Sequence, residues 1–315
     1  MEGKGPPTGG IAFIFLDGFG LGPPGPANPL SAFGWPGLSR VLGCRPVLGE
    51  QPAGEGRLVL ALDACLGVDG LPQSATGQVS LFTGANAPAL LGDHLSAYPN
   101  AKLKALIDRD NLLLHAVRAG RRATFANAYT PEYFAAVAGG KLRHSATTLC
   151  VLSAGLRFRM LADLLAGQAL FWDITNEHLR ERPGYQHVPY VAPQEAGRRL
   201  ARLAQCHALV LYECFQPDVI GHTKDMDRAL AHLQELDEFI AGCAGDLPQG
   251  ATLLLCSDHG NLEDLSTGAH TRNPVPLIAI GPAAASFASC QAITDVAPAI
   301  YSLLEGMATA GEVKG

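Results

Sequence analysis

Three apolar runs far apart in the chain each lead into an aspartate. Ile11-Ala-Phe-Ile-Phe-Leu16 runs into Asp17, His207-Ala-Leu-Val-Leu-Tyr212 precedes the segment carrying Asp218, and Ala251-Thr-Leu-Leu-Leu-Cys256 runs into Ser257-Asp258-His259. Runs this short, without polar alternation, read as strands buried on both faces, the habit of a parallel sheet covered by helices. In α/β proteins ligands bind at the carboxyl edge of such strands. The chain is therefore constrained to an α/β fold that gathers three carboxylates at one edge.

Histidines accompany them: His222 lies four residues after Asp218, His259 adjoins Asp258, and His270 opens His270-Thr-Arg-Asn-Pro-Val-Pro276. Three aspartates and three histidines on one edge repel or stay unsatisfied without a cation, whereas divalent ions accept mixed oxygen and nitrogen sets. The number of ligands suggests two ions, and the imidazoles favour Zn or Mn over Mg or Ca. If Asp218 to His222 is a helical turn, the i and i+4 side chains share a face and can share one ion, although a loop could do the same.

Composition narrows the partners. A chain of 315 residues that is 48% hydrophobic and 17% charged can bury a large core. A net charge of −6 and the lack of a long Lys/Arg run argue against nucleic acid. The apolar stretches end well short of the ~20 residues that span a bilayer, and Ile11 to Leu16 lacks a basic start and a cleavage site. The expectation is an unprocessed cytoplasmic protein with no membrane partner. Its eight cysteines (Cys44, Cys65, Cys150, Cys206, Cys214, Cys243, Cys256 and Cys290) form no Cys-x-x-Cys pair and read as small buried hydrophobes rather than a disulfide framework.

Strand-like and helix-like stretches alternate in both outer parts of the chain, and the rhythm breaks between about Thr130 and Pro189. Residues 1–129 and 190–315 are thus expected to form the core, and 130–189 a small insertion or cap. The stretch Asp225 to Gly242 carries Leu230, Leu233, Leu236, Phe239 and Ile240 at helical spacing, so one face of a helix is buried.

The segment Gly70-Leu-Pro-Gln-Ser74-Ala-Thr76-Gly77-Gln78 sits where a loop feeds a helix. Ser74 reads there as an N-cap. A helix N-terminus also suits a phosphate dianion, and a hydroxyl beside a divalent cation can act as a nucleophile, so beside the metal ligands Ser74 becomes a catalytic candidate.

Asp17-Gly-Phe-Gly20, Asn28 ahead of a helix, Ser74 in Pro-Gln-Ser-Ala-Thr-Gly, Pro217-Asp218-Val-Ile-Gly-His222-Thr, Ser257-Asp258-His259-Gly-Asn261 and the segment from His270 to Pro276 occur in this order. Together they resemble the alkaline phosphatase superfamily, and within it the cofactor-independent phosphoglycerate mutases and phosphopentomutases. The resemblance implies an alkaline phosphatase-like three-layer sandwich with a mostly parallel sheet and a small inserted segment. It implies one metal on Asp218, His222 and His270, a second on Asp17, Asp258 and His259, and Ser74 as a phosphorylated nucleophile touching the second ion. The chain departs from the mutases at Gln78, where they carry His, and in the short insertion. The sulfatase pattern Cys/Ser-x-Pro-x-Arg is absent around Ser74.

The function expected is two-metal phosphoryl transfer through a phosphoserine, most simply hydrolysis of a small phosphate ester. A phosphosugar mutase is the alternative, and a non-catalytic metal-stabilised binding protein is the reading from another class. Specificity is expected to reside in residues 130–189. Phe171-Trp172-Asp173-Ile174-Thr175-Asn176 could offer a stacking face, with burial in the insert's own core the preferred reading of both rings. Arg143, His144, Arg157, Arg159 and His178 are read as solvated charge before phosphate contacts.

Overall fold

The computed structural model describes residues 9–52 and 54–307. Its strands in chain order are β1 (Ile11–Leu16), β2 (Arg57–Leu62), β3 (Ala123–Phe125), β4 (Ala128–Tyr129), β5 (Arg159–Met160), β6 (Leu209–Cys214), β7 (Thr252–Ser257) and β8 (Val275–Ile280). Six of them form one sheet in the order β2-β8-β7-β1-β6-β3. β1 pairs in parallel with β6 and β7, and β3 with β6, whereas β8 runs antiparallel to both β7 and β2. Five strands thus point one way and β8 is reversed.

Every residue of β1, β6 and β7 is buried, as an apolar run covered on both faces requires. Alternate side chains divide between two cores. Ile11, Phe13 and Phe15 join Leu254, Cys256, Val79 and Phe82 on one face, while Ala12, Ile14 and Leu16 join Val210, Tyr212, Leu200 and Leu233 on the other. The result is a three-layer α/β sandwich.

Two long helices seal the second face. Met226–Gly245 is capped by the Asp225 side chain, which accepts from Arg228 N, and buries Ala229, Leu233, Leu236, Phe239, Ile240 and Cys243. Pro193–Ala204 packs on it so closely that a Cβ at Gly197 would lie 2.1 Å from Phe239 O. On the first face the helix Ser74–Thr83 is buried nearly all round.

The segment 130–189 is divided between two cores. The helix Ala146–Ser153 places Ala146, Leu149, Cys150 and Val151 in the first core. Farther on, Leu164, Ala169, Phe171, Leu179 and Val188 form a small separate cluster with Ala128 of β4. β4 pairs in parallel with β5. All eight cysteines are free thiols, and Cys65 and Cys206 are the two that are not buried. None of the described helices is long and apolar enough to cross a membrane.

Candidate metal centre

Register places the acids. Leu16 of β1 stands beside Cys214 of β6 and Ser257 of β7, so Asp17 emerges between the ends of two neighbours and level with Asp258. Asp258 and His259 are fully buried. The chain turns after Asp17 at Gly18, whose φ of +70° is left-handed and whose Cβ would lie 2.7 Å from the Asp218 Cβ. Only glycine meets both demands at once.

Asp218 sits in the helix Gln216–Gly221, and its carbonyl accepts from the backbone N–H of His222. This helical turn brings His222 Nε2 to 3.3 Å from Asp218 Oδ2. His270 Nε2 approaches Asp218 Oδ1 at 3.3 Å, and the His259 and His270 rings stack with centroids 3.8 Å apart. His259 Nε2 is 3.2 Å from Asp17 Oδ1 and 3.6 Å from Asp258 Oδ2. Ligand atoms of Asp17, Asp258 and His259 lie within 4.8 Å of one another, as do those of Asp218, His259 and His270. Five of the six acids and imidazoles singled out in the sequence fall in these two groups, with His259 bordering both, and His222 stands outside them against Asp218 Oδ2.

Ser74 opens the helix Ser74–Thr83, and Gln73, not Ser74, occupies the N-cap position. The hydroxyl is not spent on capping. Its Oγ lies 3.0 Å from His259 Nε2. The helix can come this close because residue 77 is glycine: a Cβ there would lie 2.7 Å from Asp258 O.

The donor set fits cations on its own chemistry. His222 Nδ1 bonds to Gly268 O at 2.7 Å, His270 Nδ1 to Pro72 O at 2.8 Å and His259 Nδ1 to Gly260 O at 3.3 Å. A carbonyl only accepts, so each Nδ1 carries a proton and each Nε2 is turned toward the carboxylates, where its lone pair would be offered to a shared cation, the arrangement of metal-binding imidazoles. Asp17 Oδ1 and Asp258 Oδ2 are buried without a hydrogen-bond partner. Without a cation the charges compensate poorly: burial and the neighbouring Asp17 push the Asp258 carboxyl well above the usual range. Burial alone would lower the His259 pKa, but Asp258, Asp17 and Asp218 outweigh it and push the imidazole up to about 10. Around Asp218 the hydrogen bond from His270 and the charge of His259 overcome burial and lower the carboxyl pKa.

Several supporting residues escaped the sequence reading. Glu263 is buried and accepts from Gly20 N at 3.0 Å, Asn261 N at 2.8 Å, Asn273 Nδ2 at 3.1 Å and the Thr271 hydroxyl, tying together the loops that carry Asp17, His259 and His270. Asn261 Nδ2 donates to Asp218 Oδ1 at 2.7 Å, and Gln78 Nε2 reaches Asp17 Oδ2 at 3.4 Å. Glu213, at the end of β6, accepts from Thr147 Oγ1 at 2.6 Å, while burial and the charges of Asp17 and Asp258 raise its pKa well above the usual range. The signal for Glu213 was present in the sequence, a carboxylate inside an apolar strand directly before its end.

A cavity of about 370 Å³ opens beside Asp17 and Ser74, with Glu213, Tyr129, Trp172 and Phe215 among its walls. Phe171 is buried in the small lobe, as expected, while Trp172 is only partly buried and both rings line this cavity. Arg143 also lines it. Arg157 pairs with Asp163 at the surface, but Arg159 is no solvated charge: it is buried and donates to Thr124 Oγ1 and Gln168 O.

Such a fold, with two imidazole-carboxylate groups at the strand ends, defines an α/β metalloenzyme of the alkaline phosphatase kind. Residues 10–306 match the Metalloenzyme superfamily, and the chain belongs to that family. In sequence it is similar to a 2,3-bisphosphoglycerate-independent phosphoglycerate mutase of Desulforudis audaxviator, 32% identical over 130 residues, which is 39% of this chain and 26% of that protein. The match thus spans about a quarter of the length of such curated relatives. Among solved structures, the alkaline phosphatase of the Antarctic bacterium TAB5 matches with a TM-score of 0.57 at 13% identity, over 96% of this chain and 98% of that one. The PH0037 protein of Pyrococcus horikoshii gives 0.55 at 12% identity, over 99% and 100%. At these identities the structural likeness speaks for the fold.

Proposed function

We propose that this chain is a two-metal phosphoryl-transfer enzyme that hydrolyses a phosphate ester through a phosphoserine at Ser74. The observation that carries the reading is the placement of Ser74 Oγ, 3.0 Å from His259 Nε2 at the helix start that faces both ligand groups. Asp17, Asp258 and His259, with Ser74, would hold one divalent ion, and Asp218, His222 and His270 the other, with Zn or Mn suiting the mixed donors. Such ions supply charge neutralisation of the phosphate and a lowered pKa for a bound hydroxyl.

The chain's own part is positional. Ser74 opens the helix Ser74–Thr83, so its Oγ stands at a helix N-terminus, whose partial positive charge suits a dianion. Gln78 and Gly18 N steady Asp17 and Asp258, and Asn261 steadies Asp218. Ser74 Oγ forms the bond to phosphorus as the ester P–O bond breaks, its proton passing to solvent and the leaving oxygen taking a proton from water. Water then attacks the phosphoserine, releasing inorganic phosphate and restoring the serine.

A phosphosugar mutase is the second reading, favoured by the similarity in sequence to proteins named phosphoglycerate mutase. Hydrolysis is preferred because the two arginines that line the cavity beside Ser74, Arg143 and Arg182, are both exposed, and several rings share its walls. The test is p-nitrophenyl phosphate with added Mn²⁺ or Zn²⁺. Turnover lost in Ser74→Ala supports the hydrolase, phosphoserine formation without turnover supports the mutase, and neither outcome in metal-loaded protein overturns both.

A further inference from the structure

Several aromatic rings share the walls of the cavity next to Ser74 with polar residues such as Asn127, Thr130 and Glu213. Tyr98, Phe125, Tyr129, Tyr133, Trp172 and Phe215 line it, drawn from loops of the main sheet and from the small lobe alike. From these walls we infer that the ester this site takes carries a flat aromatic ring on its leaving alcohol. The inference rests on Ser74 being the nucleophile, which fixes the phosphoryl group at the Asp17 end of the cavity and sends the remainder of the ester between the rings.

Three features support it. First, the rings are held in place before any ligand arrives. Trp172 stacks on His178 at 4.9 Å and 19° and stands 6.0 Å from Phe215. Its loop is fixed by the buried Asp173, which accepts from Asn176 N at 2.9 Å and His178 N at 2.6 Å, with Ile174 and Asn176 at left-handed φ of 70° and 71°. Ala97 likewise takes a φ of 60°, a conformation rare for a residue with a Cβ, directly before Tyr98. Strain at both ring-bearing loops marks them as places where the fold gives up comfort for position.

Second, two tyrosines in the cavity have their hydroxyls already engaged. Tyr129 Oη bonds Thr148 Oγ1 at 2.7 Å, and Tyr133 Oη bonds His144 Nδ1 at 3.0 Å. What they present to a ligand is ring carbon, which rewards stacking and gives a sugar's hydroxyls little to bond. Third, a cavity of about 370 Å³ falls in the ~300–1,000 Å³ range that encloses a ligand with a ring system. Phosphate esters of short aliphatic alcohols would leave much of it unfilled.

Ring-bearing esters come from two sources, simple aryl or arylalkyl phosphates and nucleoside monophosphates, and matched pairs separate them. The metal-loaded full chain is assayed on benzyl phosphate against n-propyl phosphate, and on adenosine 5′-monophosphate against ribose 5-phosphate, pairs that share a leaving-group type and differ in the ring. We expect kcat/KM about tenfold or more higher for the ring-bearing member of at least one pair. Trp172→Ala is expected to shrink that ratio about tenfold, and Tyr98→Ala, on a partly exposed loop, to shrink it also should the first variant fold poorly. Equal rates within both pairs overturn the inference while leaving the hydrolase intact. If no ester turns over, the proposed function fails, and calorimetry on metal-loaded Ser74→Ala still decides the ring question: tighter binding of the ring-bearing member supports it, and equal binding overturns it.

Discussion

Ser74 Oγ and His259 Nε2 stand 3.0 Å apart although 185 residues separate them in the chain. The contact joins the first turn of a buried helix to the end of β7, and it exists because Gly77 lets that helix lie against Asp258 O. In a metal-free chain it is a hydrogen bond. With an ion held by Asp17, Asp258 and His259, the same closeness would put the hydroxyl beside that ion.

Ser74 and Thr76 offer two hydroxyls in the first turn of one helix, and their partners differ. Thr76 is fully buried, donates from Oγ1 to Gln73 O and accepts from Leu95 N, both at 3.2 Å. Thr76→Ala is therefore expected to cost about 1 kcal/mol of stability and keep most of the rate. Ser74→Ala is expected to lower turnover at least ~10³-fold with metal content and melting temperature retained. Steady-state rates, elemental analysis and thermal melts on both variants check this, and reversal of the two phenotypes moves the nucleophile to Thr76.

Each ligand group should lose its ion separately. Asp17 and Asp258 lie on one side of His259, and Asp218 and His270 on the other with His222 against Asp218, so Asp17→Ala and Asp218→Ala each remove an anion from a different group. The intact protein is expected to hold two zinc or manganese ions after reconstitution, and each variant one. Elemental analysis that finds full occupancy in both variants refutes the assignment of ligands.

Metal loading should depend on pH with a definite sign. In the metal-free chain His259 is pushed up to about 10, so at neutral pH its Nε2 carries a proton that ligation must displace. Affinity is expected to rise about tenfold per pH unit between pH 6 and 8. The raised values of His259 and Asp258 both mean that the folded metal-free chain binds more protons than the unfolded chain. Their contribution to stability is thus fully present below the unfolded pKa values and is lost as pH rises, for His259 through about 10. Thermal melts in chelator should fall from pH 6 to pH 9 more steeply than melts of the loaded protein. Affinity that stays flat over pH 6 to 8 removes His259 from the ligands.

The strands that deliver Asp17 and Asp258 were legible because a run buried on both faces has no polar positions to confuse it with an amphipathic helix. Asp218 and His222 were legible as a pair through their spacing. The reversal of β8 was not: Val275 to Ile280 is the same apolar run whichever way it enters the sheet, and only the short return from His270 sets its direction. Glu263 was missed because a carboxylate after Gly260-Asn261 looks like any solvated turn until its four donors are seen arriving from three loops. The helix Ala146–Ser153 was assigned to an insertion because its surroundings are irregular, yet its own residues are apolar nearly all round and belong to the main core. Pattern identified the residues that gather at the strand ends, while loops that owe their shape to distant partners stayed hidden.

Those loops give the last prediction. Glu263 is 1% exposed and receives Gly20 N, Asn261 N, Asn273 Nδ2 and the Thr271 hydroxyl, none of which belongs to a proposed ligand. Glu263→Ala strands these buried donors and is expected to cost about 3 kcal/mol or more. Glu263→Gln keeps the volume and one acceptor oxygen but turns an amide NH₂ toward N–H groups, so an intermediate loss is expected. Because the same donors hold the turn after Asp17 and the loops bearing His259 and His270, the Gln variant should also bind metal about tenfold or more weakly, within the range found when an outer partner of a ligand is removed. Denaturant melts combined with metal titrations check both parts. A Gln variant with native metal affinity and only lowered stability would show that Glu263 supports the fold without setting the positions of the ligands.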